Sequence, residues 1–314
     1  VKPICDDLFF WREGVLVTHN DALRLEQLFC ERYPLSFTPL AAFSENRLQY
    51  TAFMARIVGI VNCTPDSFSD GSGTISPGLY IERAKRLVDE GADILDLGGD
   101  STRPGSTCPG VEEEWRRVRP VLTEMAPCIP CSIDTHNPEV ARRALENGAS
   151  YINDISGALA PEMLNVVAQS GATYIAMFNP NRDAHLFDQS LTLDCAFRTI
   201  TSWVESAITT MASHGIPLDR IVIDPGMGAF VSKDPLVSWE ILNRCHELPI
   251  TKGGLYIGCS RKGFLALPGE SSATDRDERT ASIGKEIATR IEGSTPLYLR
   301  VHNVSTQRSA LAPT

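Results

Sequence analysis

A series of short apolar runs in this chain ends, each time, on residues that can do chemistry: Asn62, Asp96 with Gly98-Gly99-Asp100, Asp134, Asn153 with Asp154, Met177 with Asn179, Asp224, Ser260 with Arg261-Lys262, and Arg300 with His302. Burying such groups unpaired is costly, so their repetition beside apolar segments implies a polar small molecule that satisfies them. Asp134, Asn153 and Asp224 together accept from and donate to a flat heterocycle with an amino-pyrimidinone edge, one carboxylate taking two adjacent N–H donors. A pterin or a guanine-like ring has that edge. Lys262, Arg300 and His302 supply positive charge for a polyanion, so the ligand reads as a heterocycle bearing phosphate. Asn62 and the loop over 64–73 add oxygens suited to Mg2+, which keeps waters and substrate phosphates in its shell.

The elements that must position these residues follow from the pattern around them. From Arg56 onward, β-rich runs at 56–62, 93–99, 130–135, 151–156, 174–179, 221–226, 255–260 and 297–303 alternate with amphipathic segments. Helix punctuation lies between the runs: Asn137-Pro138 as N-cap and first helical position, Gly148 as a stop, Pro161 and Gly171 around the next helix, and a longer helix over 193–214 with Trp203, Ala207 and Met211 on one face. Eight strands and seven intervening helices in 248 residues match the length of a (β/α)8 TIM barrel. The rival, an open doubly wound sheet, lacks its glycine-rich fingerprint after the first strand. The expected α/β architecture is therefore a TIM barrel over 56–314, whose sites form at the carboxyl ends of the strands with phosphate held near strands seven and eight. Residues 1–55 read as an N-terminal extension, with a hairpin over 9–17, a helix over 21–33 and a linker, packed across the lower end. Only 305–314 remain after the eighth strand, short for a closing helix.

Composition excludes other classes. The net charge is −10 and no Lys/Arg run exceeds a pair, which is not the footprint of a nucleic-acid binder. No apolar stretch approaches the ~18–20 residues that span a bilayer, so no membrane partner is expected. Nine scattered Cys do not form a secreted disulfide framework. A cytoplasmic location is expected, although the chain starts at Val1 and leaves room for an organellar targeting segment upstream.

The string Gly59-Ile-Val-Asn62-Cys-Thr-Pro-Asp-Ser-Phe-Ser-Asp-Gly71 is similar to the first-loop signature of the dihydropteroate synthase family. Gly98-Gly-Asp-Ser101-Thr102-Arg103-Pro104-Gly105, Ser132-Ile-Asp134-Thr135, Ile152-Asn153-Asp154, Asp224-Pro-Gly226, Ser260-Arg261-Lys262 and Arg300-Val-His302 follow in family order. The resemblance covers about Arg56 to Val304. It implies a transferase of folate biosynthesis, and a sulfonamide target, that joins 6-hydroxymethyl-7,8-dihydropterin diphosphate to p-aminobenzoate. By the same resemblance, Asp134, Asn153, Asp224 and Lys262 hold the pterin with Met177, while Asn62, Arg300 and His302 bind diphosphate and Mg2+. Thr102, Arg103, Pro104 and Ser260 lie near the arylamine. A homodimer through the outer helices is the family tendency. Departures gather at the rim: Asp100 for Glu, Met177-Phe-Asn-Pro-Asn181 for Met-His, an altered loop at 224–233, Gly263 for Ser and Asn303 for Asp. They leave room for a different arylamine, for a non-catalytic pterin-binding paralogue, or for a module of a bifunctional folate enzyme. A pterin-dependent methyltransferase is disfavoured by Lys262, Arg300 and His302, since a methyl donor needs no diphosphate site.

Plainer readings accompany several residues. Asp96 and Asp154 also suit the N-cap of a following helix. Cys128 and Cys131 have redox-motif spacing without a thioredoxin-like pattern around them. A zinc site is not expected, because no second pair stands at suitable spacing and the six His are dispersed. Glu112, Glu113 and Glu114 favour a helix N-terminus through its dipole. Met163, Trp203 and Trp239 read as helix core.

Overall fold

The computed structural model describes residues 11–12, 15–16, 55–64, 77–101, 108–157, 159–267, 269–291 and 295–312. In the N-terminal extension, β1 (Trp11–Arg12) and β2 (Val15–Leu16) pair antiparallel, within the expected hairpin. The expected helix over 21–33 and the linker lie outside the described residues.

Eight parallel strands close into a barrel. They are β3 (Ala55–Asn62), β4 (Ile94–Gly98), β5 (Cys131–Asp134), β6 (Tyr151–Asp154), β7 (Thr173–Met177), β8 (Ile221–Asp224), β9 (Leu255–Ile257) and β10 (Leu297–Val301), with β10 pairing β3 to complete the ring. The helices between them are α1 (Pro77–Asp89), α2 (Val111–Met125), α3 (Pro138–Glu146), α4 (Pro161–Gln169), α5 (Leu193–Ser213), α6 (Pro235–Arg244) and α7 (Asp277–Arg290). Asn137 caps α3 by accepting from the Glu139 and Val140 amides, with Pro138 at the first helical position. An eighth helix, α8 (Val304–Leu311), follows β10. Eight residues suffice because Asn303 caps it and the Arg308 guanidinium donates to the Gly91 carbonyl and to Asp93, tying it beneath β4.

Strand parity divides the core in two. Ile57, Val61, Leu95, Leu97, Ile133, Ile152, Tyr174, Ile223, Ile257, Leu299 and Val301 face outward into the layer shared with the helices. Val58, Ile94, Tyr151, Ile175, Val222, Tyr256 and Tyr298 fill the barrel interior. Because side chains alternate along a strand, the next inward positions, two or four residues on, are Asn62, Asp96, Asp134, Asn153, Met177, Asp224 and Arg300. The interior is thus apolar below and polar at its mouth. Met163 is fully buried, whereas Trp203 and Trp239 are half-buried and pack edge-on against Phe178 and Phe264.

Candidate active site

The strand register lines up Asn62, Gly98, Asp134 and Asn153 across four neighbouring strands. From β10, which pairs with β3 beside these strands, Arg300 reaches across the mouth above the apolar plug. Its Nε donates to Asp96 Oδ2 at 2.7 Å and its Nη2 to Asp134 Oδ2 at 2.7 Å. Asn153 Nδ2 also donates to Asp96 Oδ2, at 3.2 Å. The helix-cap reading of Asp96 is therefore corrected: it is fully buried, and it anchors Arg300 and Asn153 within the barrel. Its inward parity with Asp134 and Arg300 was the signal in the sequence. Asp154 faces the opposite way, accepting from the Tyr174 hydroxyl at 2.6 Å and the Ser156 amide at 2.9 Å, outside the mouth. Burial and the nearby Asp96, Glu114 and Asp100 carboxylates raise the proton affinity of Asp134, while Arg300 opposes them.

Asp224 sits at the mouth on β8. Its Oδ1 accepts from the Gly226 amide at 2.8 Å. Gly226 has φ of +68°, and a Cβ there would lie 2.4 Å from the Phe178 carbonyl oxygen, so the turn that presents this amide requires glycine. Burial raises the pKa of Asp224, and the Lys262 cation opposes that rise. Lys262 is lowered by its own burial, against the pull of Asp224. The Lys262 ammonium donates to the Met227 carbonyl at 3.0 Å and lies 5.4 Å from the centre of the Phe230 ring, which itself packs against the cluster of Ile155, Met177 and Ala184. Between Asp224 and Arg300 lies Gly258; a Cβ there would stand 3.8 Å from Asp224 Oδ2 and 3.9 Å from Arg300 Cδ. The missing side chain leaves a slot between the anion and the guanidinium.

His302 and Ser260 are joined. Ser260 Oγ contacts His302 Nδ1 at 2.9 Å and accepts from the His302 amide at 3.1 Å. The expectation that His302 brings positive charge is corrected: burial, then Arg261 and Arg300, hold its pKa down to about 3, so the imidazole is neutral. Between the two site residues Ser260 and Lys262, Arg261 adopts φ of +59°, a conformation costly for a side chain with a Cβ. Asp277, at the start of α7, accepts from Arg261 Nε and Nη2 at 2.7 Å each and from Asn303 Nδ2 at 3.1 Å, fixing this turn. Nothing in the sequence singled out Asp277, because it lies sixteen residues downstream on a helix.

Asn62 is half-buried at the end of β3. Its Oδ1 and Asp134 Oδ2, the oxygen that also accepts from Arg300, lie 3.9 and 3.7 Å from where a Cβ on Gly98 would stand, so two oxygens face a place left open by glycine. That donor set fits a hard divalent cation completed by phosphate and water. Thr102, Arg103 and Pro104 lie outside the described residues. Asn179 holds its own loop, donating to the Ile155 and Asp183 carbonyls. Of the three acidic residues opening α2, Glu112 pairs with Arg143 and Glu113 with Arg116 and Arg117, whereas Glu114 is buried and its pKa is raised by burial to about 7.

A profile of the pterin binding enzyme family matches residues 58–302, the span that holds the whole constellation. The chain is 34% identical over 261 residues to a type-3 dihydropteroate synthase of Escherichia coli, covering 82% of this chain and 97% of that one. Among solved structures, a Xanthomonas albilineans dihydropteroate synthase with 4-aminobenzoic acid superposes with a TM-score of 0.72 at 33% identity, over 83% of this chain and 92% of the other. An Anaplasma phagocytophilum dihydropteroate synthase with bound 6-hydroxymethylpterin-monophosphate gives 0.70 at 30% identity, over 82% and 97%. The chain belongs to the dihydropteroate synthase family of pterin-binding enzymes.

Proposed function

We propose that this chain condenses 6-hydroxymethyl-7,8-dihydropterin diphosphate with p-aminobenzoate, giving 7,8-dihydropteroate and diphosphate. The observation that carries the reading is the placement of Asp224 and Lys262, whose charges act on each other, across a glycine slot from the Arg300, Asp134 and Asn153 cluster, directly above an apolar plug. A flat ring seated there meets a carboxylate for its amino and ring N–H groups, an ammonium for its carbonyl, and Met177 with Phe230 as an apolar wall.

In this reading the C–O bond between the exocyclic methylene and the diphosphate breaks first, leaving a cationic methylene conjugated with the electron-rich dihydropterin. The arylamine nitrogen then forms the new C–N bond and releases its proton to solvent. No protein nucleophile is involved. Asp134 and Asp224 stabilise the electron-poor ring, and Asn62, Arg300 and His302 receive the departing diphosphate; preorganised charge of this kind supplies the rate enhancement. Neutral His302 donates from Nε2 when Nδ1 accepts from Ser260, and an arriving polyanion favours its protonation. Asn62 would hold Mg2+, which when bound neutralises charge on the diphosphate. Thr102, Arg103, Pro104 and Ser260 complete the arylamine side. We further assign a homodimer formed through the outer helices and a cytoplasmic location, the first to be tested by sedimentation and the second by fractionation.

The test of the activity is incubation with Mg2+, the pterin diphosphate and p-aminobenzoate, following diphosphate release and the product mass. Dihydropteroate formation, inhibited competitively by a sulfonamide against p-aminobenzoate, is the expected result. Diphosphate release without the condensed product, or noncompetitive inhibition, contradicts the assigned arylamine geometry.

A further inference from the structure

Beside the barrel mouth the fold gathers four side chains that are 85 residues apart at their extremes: Asp100 just beyond β4, Cys108 just before α2, His136 just beyond β5, and His185 in the connection between β7 and α5. One ligand-capable atom from each, a carboxylate oxygen, a thiol sulfur and two ring nitrogens, lies within 4.8 Å of all the others. His185 Nε2 stands 2.7 Å from Asp100 Oδ2, and His136 Nδ1 stands 4.0 Å from the same oxygen. The two imidazoles meet edge to face with ring centres 5.7 Å apart.

Hydrogen bonding inside the cluster does not account for it. The Asp100 side chain is only 4% exposed, yet its Oδ1 has no partner; His185 Nδ1 is likewise buried without one. A buried carboxylate with an orphaned oxygen, facing two imidazoles and a thiol, is a set of donors awaiting an acceptor of their lone pairs. Glu114, buried beneath and close enough to feel both Asp100 and His185, is the kind of outer carboxylate that orients metal-bound histidines.

We propose that Asp100, Cys108, His136 and His185 form a closed four-coordinate Zn2+ site at the rim of the barrel, separate from the Mg2+ place at Asn62. One thiolate, two imidazoles and one carboxylate are the mixed borderline donors that zinc takes in tetrahedral geometry, with no position left open for water. Mg2+ and Ca2+ take oxygen ligands and do not suit the thiol or the imidazoles. Binding displaces the Cys108 thiol proton to solvent and uses the neutral histidines. The consequence is mechanical. Asp100 and Cys108 flank the second loop, so the ion fastens both ends of that loop and ties them to the third and fifth loops. Zinc was not expected from the sequence, because no second pair stands at suitable spacing and the six His are dispersed; closure of the barrel brings together what the sequence disperses.

The test uses the full chain, stripped with a chelator and titrated with Co2+ and then Zn2+ alone. The expected result is one equivalent of cobalt with a tetrahedral visible spectrum and a thiolate-to-cobalt charge-transfer band, bleached by Zn2+. Cys108→Ser removes that band, and His136→Ala weakens Zn2+ binding by more than about 100-fold, beyond the 10- to 100-fold typical of losing an outer partner. A wild-type protein with no tetrahedral cobalt spectrum, or a band that survives Cys108→Ser, overturns the proposal. Independently of variant folding, thiol alkylation mapped by mass should show Zn2+ protecting Cys108 while exposed Cys128 still reacts; equal labelling of Cys108 with and without Zn2+ also overturns it.

Discussion

At the floor of the barrel mouth, Arg300 bridges Asp96 and Asp134 and Asn153 returns to Asp96, so these groups are held before any ligand arrives. At the rim, Asp100 Oδ2 meets His185 at 2.7 Å with His136 4.0 Å away, leaving Asp100 Oδ1 and His185 Nδ1 unpartnered, while Cys108 stands exposed. The floor is built on strand ends, whose register fixes each side chain, and its buried orphans, Asp96 Oδ1 and Asn153 Oδ1, belong to groups already anchored by other bonds; the rim is built on loops, whose donors converge with fewer bonds among them. Preorganised groups suit recognition of one rigid ring, and incompletely paired groups suit a ligand that itself supplies the missing bonds. The difference also agrees with where the chain departs from the family pattern: the floor residues keep it, and the changes at Asp100 and after Met177 lie at the rim.

Breaking the floor has the largest expected effect. Lys262→Ala or Asp224→Ala removes a charge-assisted partner of the ring and lowers pterin affinity by about 100-fold or more, measured by calorimetry. Near-normal affinity would remove these residues from the pocket. Arg300→Met leaves Asp96 and Asp134 without their shared cation and destabilises the fold by about 3 kcal/mol in urea unfolding. Arg300→Lys restores little, since an ammonium cannot bridge two carboxylates as a guanidinium fork does; full recovery by lysine would reduce the arrangement to simple charge.

A smaller effect separates His302 from the rest of the floor. Its folded-state pKa of about 3 lies below the ordinary histidine value of 6.5, so the unfolded chain takes up a proton that the folded chain refuses. Its contribution to stability is present above pH 6.5 and is lost as pH falls from 6.5 toward 3. Urea midpoints for wild type and His302→Asn at pH 7 and pH 5 measure this, and the wild type should lose more than the variant. The smallest effect belongs to the rim: His185→Ala should leave pterin affinity within about twofold, because none of the floor hydrogen bonds passes through it. A large loss there would merge the two regions into one site.

Much of the floor was readable beforehand because strand parity is a strict code. Once the eight apolar runs are placed in a barrel, Asn62, Asp134, Asn153, Asp224 and Arg300 must share the interior. The pairing within that set was less readable: nothing in the sequence showed that Arg300 bridges Asp96 and Asp134, and His302, expected to carry charge, is held neutral by burial. Residues that act through geometry rather than strand position left no trace in the pattern. Asp277 steadies Arg261 from a helix, and His136 and His185 meet Asp100 only because separate loops converge. The eighth helix was expected to be small if present, and Asn303 and Arg308 secure its eight residues by specific bonds that a length argument cannot weigh.

The most direct test of the central claim is parallel calorimetry of 6-hydroxymethyl-7,8-dihydropterin diphosphate with wild type, Lys262→Ala and His185→Ala at one Mg2+ concentration. The floor account predicts binding lost in Lys262→Ala and retained in His185→Ala. Binding that persists without Lys262 and fails without His185 would contradict it and move pterin recognition from the strand ends to the rim.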